Sequence, residues 1–263
     1  DGEIAYVDSQ IGVLLSQLED LGIRDRTLVI YTSDHGEGLG EHGEQTHSLL
    51  VYDSTLHVPM ICHAPAGIPQ GKIIDHQTCL IDVAPTILHL LGKDVPEELD
   101  GVNLCEQSEK STRSLLVETI ATMTMHGWAP LIGVRRDDHK YILAPTPELY
   151  DLTNDPKELS NIHDDAPELV REFGSQLANW LGDDPYLAKK GGIDLGNMEV
   201  DDEAMRRLAA LGYVKTASDD EIEDAYLLDP KDQILQWEMV QKAMHLKAEG
   251  EPLSAIPILE QAL

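Results

Sequence analysis

Five residues, Thr27-Leu28-Val29-Ile30-Tyr31, form an apolar, β-branched run that discharges into Thr32-Ser33-Asp34-His35-Gly36-Glu37-Gly38-Leu39-Gly40-Glu41-His42-Gly43, with His47 just beyond. The run is short and bounded by polar and glycine residues, so it reads as a buried, parallel-type strand rather than a helix segment. A strand that ends in Asp-His-Gly points to an α/β architecture, in which ligands gather beyond the carboxyl ends of the strands. Gly36, Gly38, Gly40 and Gly43 let the backbone turn sharply and approach a small anion or metal closely.

The flanking pattern extends this reading. Ile4, Val7, Ile11, Leu14, Leu15 and Leu18 fall at three-and-four spacing, which predicts an amphipathic helix over 2–20 closed by Gly22. Leu49 to Tyr52 reads as a short helix, and His57 to Cys62 as a second buried strand with Pro59 near its start. A helix opens at Asp82-Val83-Ala84-Pro85-Thr86 and stops at Gly92. The segments 114–120, 131–136 and 140–144 are short and β-rich, which predicts a small, mostly antiparallel sheet, followed by an amphipathic helix over 166–182.

From Asp183 to Asp201 the composition is that of a linker, 202–212 reads as a short helix, and the acidic run from Ser218 to Asp224 reads as a solvated face. Two helical patterns follow, 231–249 and 252–263, in which Ala243, Gly250, Ala255, Ile256, Leu259 and Ala262 sit as in a tetratricopeptide repeat. Four regions result: an α/β core over 1–110, a small antiparallel sheet plus helix over 111–182, a linker with a short helix over 183–230, and the start of a helical repeat over 231–263.

Charge narrows the partners. Nineteen basic residues against 48 acidic ones leave a net charge of -29, which argues against nucleic acid and leaves an anionic ester to be held by local cations and a metal. Cys62, Cys79 and Cys105 lack CxxC spacing, so neither a disulfide framework nor a zinc ribbon is expected. No apolar run reaches the ~18 residues of a transmembrane helix. Asp1 in place of Met, and Leu263 inside a helical pattern, are the marks expected of a chain cut at both ends, from which no compartment is read.

The chemistry concentrates at the strand end. A metal that neutralises an ester oxyanion takes hard oxygen ligands and an imidazole, and Asp34 with His35 supply both. His47 can donate a hydrogen bond to an ester oxygen or leaving group, since imidazole titrates near working pH. His42 and Glu41 share the loop, and His42 is a candidate substrate contact beside His47.

These residues resemble the sulfatase family within the alkaline-phosphatase superfamily. The matches run in order through Gly2-Glu3-Ile4-Ala5-Tyr6-Val7-Asp8, Thr32-Ser33-Asp34-His35-Gly36-Glu37, Leu39-Gly40-Glu41-His42-Gly43, Val58-Pro59, Asp82-Val83-Ala84-Pro85-Thr86, Leu99-Asp100-Gly101 and Glu148-Leu149-Tyr150-Asp151-Leu152. The resemblance covers about residues 1–182, and the tail resembles the repeat-bearing extension of some bacterial members.

It implies the C-terminal part of an alkaline-phosphatase-like α/β/α sandwich, with a small antiparallel-sheet subdomain and an α-helical tail that could recruit a protein partner. It implies hydrolysis of a sulfate ester, or of a phosphodiester or phosphonate monoester in the same superfamily; a periplasmic or extracellular setting would suit a bacterial member, and no compartment is assigned. Asp34 and His35 would ligate a divalent cation, calcium foremost by family habit, with Mg²⁺, Mn²⁺ or Zn²⁺ left open by His35. His47 lies thirteen residues after Asp34, where many members carry an active-site Lys. The family's nucleophile, a formylglycine made within a Cys/Ser-x-Pro/Ala-x-Arg motif, has no counterpart in this sequence. The expectation is therefore a hydrolase fragment that is inactive by itself; the rival reading is a non-catalytic scaffold using the helical tail.

Overall fold

The structure is a computed structural model that describes residues 2–64, 68, 70–106, 113–181 and 228–262. The linker, short helix and acidic run expected between 183 and 227 lie outside the described residues. The described residues fall into two units, one within 1–34 and 58–112 and the other within 35–57 and 113–263. The glycine loop thus clusters with the C-terminal half rather than with the 1–110 region to which its sequence position assigns it.

In the first unit, helix α1 spans Gly2–Asp20. It ends in a Schellman turn: Gly22 takes φ +64, a left-handed conformation that costs glycine nothing, and the Ile23 N–H reaches the Leu18 carbonyl at 3.0 Å. Strand β1, Val29–Thr32, pairs with β2, Met60–His63, in the register Val29↔His63 to Thr32↔Met60.

Two expectations are corrected here. The pairing is antiparallel, because no element between Thr32 and Met60 is long enough to carry the chain back along the strand as a parallel crossover requires. Nor is the strand buried: Tyr31 is 41% exposed and Ile61 64%, since a two-stranded ribbon has no covering layer of its own.

Helix α3, Val83–Leu90, follows a 3-10 turn at Leu80–Asp82. Asp82 is fully buried, and its carboxylate accepts the N–H groups of Cys79 at 2.8 Å and Val102 at 2.9 Å. The Thr86 hydroxyl donates to the Asp82 carbonyl and accepts from the Leu104 N–H. A Cβ on Gly101 would stand 2.0 Å from the Ile81 carbonyl oxygen. The Asp82…Thr86 and Leu99-Asp100-Gly101 motifs are therefore two sides of one clamp.

The second unit is built on an antiparallel meander: β3 Ser114–Thr119, β4 Leu131–Arg136, β5 His139–Leu143 and β6 Glu148–Asp151. The period-two alternation of strands sorts its apolar residues cleanly. Ile132, Val134, Tyr141 and Leu149 meet Phe173 and Leu177 of helix α5, Pro167–Leu181. Leu131, Ile142 and Tyr150 meet Leu49, Leu50, Val51, Tyr52 and Ile234. Burying side chains of the size of Phe173 and Leu177 contributes about 2–3 kcal/mol each.

Leu49 to Tyr52 is not the expected helix. All four residues are buried against the sheet outside any helix, and the helical turn α2 begins at Asp53 and ends at Leu56. Ile234 belongs to helix α6, Pro230–Ala248, which pairs with α7, Pro252–Ala262. Asp229 caps α6 by accepting the Lys231 N–H at 3.0 Å, and also accepts the Thr146 N–H at 2.9 Å. The first tail helix is accordingly a layer of the sheet unit, not an appendage. A short helix, α4, spans Ala121–His126. The whole is mixed α/β with antiparallel sheets and a helical C-terminal end. No helix among the described residues is long and apolar enough to cross a membrane.

Candidate active site

The segment after β1 folds into a narrow ribbon. The Gly36 N–H donates to the Thr55 carbonyl at 2.7 Å, Gly38 to Thr46 at 2.6 Å, and Gly40 to Glu44 at 2.9 Å. Its glycines answer to this closeness: a Cβ on Gly36 would lie 2.5 Å from the Ser54 carbonyl oxygen, and one on Gly38 would lie 2.7 Å and 2.8 Å from those of Glu44 and Thr46. They serve the folding of the loop itself, whereas the sequence suggested room for an anion or metal.

Pairing 38 with 46 and 40 with 44 places 37 opposite 47. The side chains follow: His47 Nδ1 stands 3.2 Å from a carboxylate oxygen of Glu37. The His47 ring stacks on that of His35, with centroids 4.0 Å apart and planes 27° apart. His35 Nδ1 lies 2.8 Å from the Gly36 carbonyl, which can only accept, so the neutral ring carries its proton there and its lone pair on Nε2. By the same reasoning, Glu37 accepts the His47 Nδ1–H, and Nε2 of that ring is a donor only when the imidazole carries both protons.

Asp34 is the last residue of the first unit and His35 opens the second. Asp34 is exposed, and its Oδ1 accepts from the Ser33 hydroxyl at 3.3 Å. By donor type a carboxylate and an imidazole of fixed tautomer each suit a divalent cation. Among the described residues, no group of three or more His, Cys, Asp and Glu side chains is arranged to hold a metal, so this pair would be only part of a coordination sphere.

His42 is placed elsewhere. At φ +53 it stacks on Tyr52, with centroids 3.5 Å apart and planes 10° apart, and its Nε2–H donates to the Lys157 carbonyl at 3.1 Å. Burial pushes its pKa below the ordinary histidine value. Glu41 accepts the Leu39 N–H at 2.7 Å, which lowers its carboxyl and ties down the loop.

Two site residues escaped the sequence reading. Glu37 stood inside the quoted motif without a role, and only the ribbon register reveals its partner. Glu44 is buried, accepts the Leu49 N–H at 2.9 Å, and has its carboxyl pushed up by burial.

Beneath the loop lies a buried ionic cluster. Lys140, fully buried, pairs with Asp53 and with Glu158 at 2.7 Å, and donates to the Val51 carbonyl at 3.2 Å. Arg135 reaches Asp53 at 3.2 Å. Burial works to raise the Asp53 carboxyl, but Lys140 and Arg135 outweigh it and leave it low; Glu158 remains raised by burial. The cluster pins the start of α2 to the sheet.

Residues 1–93 match the Sulfatase family model. The chain is 32% identical over 187 residues to arylsulfatase K of Bos taurus, covering 66% of this chain and 34% of that protein. The structure of BT4656 in complex with its substrate D-glucosamine-2-N,6-O-disulfate aligns with a TM-score of 0.59 at 27% identity, over 74% of this chain and 41% of that one. The phosphonate monoester hydrolase of Agrobacterium radiobacter aligns with a TM-score of 0.57 at 28% identity, over 67% of this chain and 39% of that one. The chain spans about a third of the length of the curated relatives it matches. The family match over residues 1–93, the motifs in order and the shared fold together support the sulfatase family of the alkaline-phosphatase superfamily.

Proposed function

We propose that the protein containing this chain is a metal-dependent hydrolase of sulfate esters, with His47 as the hydrogen-bond donor to the ester and Asp34 and His35 as ligands of a divalent cation. The observation that carries the reading is the stacked His35–His47 pair with Glu37 on the Nδ1 of His47, in the segment after β1. A divalent cation bound there supplies positive charge against developing oxyanion charge. Glu37 accepts the Nδ1–H of His47 and favours the doubly protonated ring, whose Nε2–H is then the donor to an ester oxygen, and the Gly36 carbonyl holds His35 in one tautomer. A formylglycine would supply the nucleophile toward sulfur; this sequence carries no Cys/Ser-x-Pro/Ala-x-Arg motif, so the activity proposed is that of a longer protein that includes one.

The test is hydrolysis of an aryl sulfate by the intact protein with and without chelator, beside Asp34→Asn and His47→Ala. Turnover that needs a divalent cation, is lost in Asp34→Asn and falls about 10²–10⁴-fold in His47→Ala supports the reading. A second reading, phosphonate monoester or phosphodiester hydrolysis, is favoured by the likeness to the Agrobacterium radiobacter enzyme. Faster turnover of an aryl phosphonate than of the sulfate, with the same variant pattern, would select it. We further propose that α6 and α7 open a tetratricopeptide-like array, since Ala243, Ala255 and Ala262 are buried where such repeats need small residues, while Ile256 and Leu259 stay exposed toward a protein partner.

A further inference from the structure

We propose that α6 is a working part of the candidate active site: it fixes the loop that carries His47, and Glu238 is a positioning residue for that histidine. Three contacts along one face of the helix converge on the loop. Ile234 is buried against Leu49 to Tyr52, the run that begins two residues after His47. Leu235 and Ile234 close over Gly43, where a Cβ would lie 2.9 Å from Leu235 Cδ2 and 3.1 Å from Ile234 Cγ2. One turn on from Ile234, Glu238 Oε1 accepts the Gln45 N–H at 3.1 Å. The neighbouring ribbon bonds alternate, so Gln45 points its N–H away from the Gly38 strand, and Glu238 is what receives it.

The loop needs such support. Gly43 sits at φ +86 and Ser48 at φ +90, a conformation a serine holds only when its surroundings over-determine it. The Thr119 hydroxyl on the Ser48 carbonyl fixes one end, and Glu238 on Gln45 fixes the other, with His47 between them. Asp229 in turn seats the helix on the Thr146 N–H. A tail that resembles an interaction module thus reaches the site through its own first helix.

The inference rests on the proposed hydrolase only for its activity arm. Amide hydrogen exchange at Gln45 is measured in this chain for Glu238→Ala and Glu238→Gln; the amide oxygen of glutamine still accepts. The expected result is exchange about five- to tenfold faster at Gln45 in Glu238→Ala and near the parent rate in Glu238→Gln. In the intact protein, Glu238→Ala should lower kcat for the aryl sulfate about three- to tenfold with little change in KM, and Glu238→Gln should restore it. Unchanged exchange at Gln45 in Glu238→Ala overturns the inference, as does faster exchange with unchanged kcat. If the intact parent turns over no ester, the hydrolase reading fails while the exchange result still judges the role of α6.

Discussion

Replacing Lys140 by Met keeps the aliphatic stem and removes a charge whose side chain is 0% exposed, between an Asp53 carboxylate 14% exposed and a Glu158 carboxylate 2% exposed. Breaking a buried ion pair from one side costs about 3–5 kcal/mol, because the partner stays buried without compensation. Asp53 keeps Arg135 at 3.2 Å, so the lower end, about 3 kcal/mol, is expected at neutral pH. At a urea slope of about 2 kcal/mol/M this is a midpoint lowered by about 1.5 M.

The pH dependence is the sharper part. Glu158 has its carboxyl raised in the fold by burial, with Lys140 as the main opposing influence. A carboxyl raised in the fold contributes stability below its unfolded value and loses it as pH rises through the folded value. Removing Lys140 raises Glu158 further, so the deficit of Lys140→Met should be smallest near about pH 5 and grow toward about pH 8. Urea unfolding followed by tryptophan fluorescence reads this, since Trp128 and Trp237 pack against the same core. A midpoint shift below ~0.5 M, or one equal at the two pH values, would refute the assignment of this cluster as a buried ionic pin.

Asp82→Ala strands the N–H groups of Cys79 and Val102 in a buried place and should cost about 2–4 kcal/mol, with protease cleavage appearing between Leu99 and Leu104 before global unfolding. His42→Phe keeps the ring on Tyr52 but removes a titrating group whose folded pKa is lowered by burial. Such a histidine supports the fold above its unfolded value of about 6.5 and withdraws that support as pH falls through the folded value. The melting temperature of the parent should therefore drop more between about pH 7.5 and pH 5 than that of His42→Phe; equal drops would show that His42 is not the acid-sensitive group.

Much of the fold is legible one element at a time. The spacing of Ile4, Val7 and Ile11 with Gly22 behind them gives α1 to the residue, because periodicity and a left-handed stop are local properties. The strands at 114–119 and 131–136 are read the same way. Leu49 to Tyr52 misleads because four consecutive apolar residues have no period; only their packing on the sheet accounts for their burial outside a helix. The strand at 29–32 is found, yet its antiparallel partner and open faces are not, since pairing depends on where the chain returns.

At the site, the sequence by itself singled out Asp34, His35, His42 and His47 by residue type and order, and with them the family. Tertiary structure alone decided that His35 and His47 stack, that Glu37 rather than His42 accompanies His47, and that a helix 193 residues away receives the Gln45 N–H. His42 goes to Tyr52 and to the Lys157 carbonyl, 115 residues distant. Helix stops, strand propensity and motif chemistry are written within a few neighbours. The partner of an imidazole is set by which distant backbone and side-chain groups packing brings to its two nitrogens, and no local pattern encodes that.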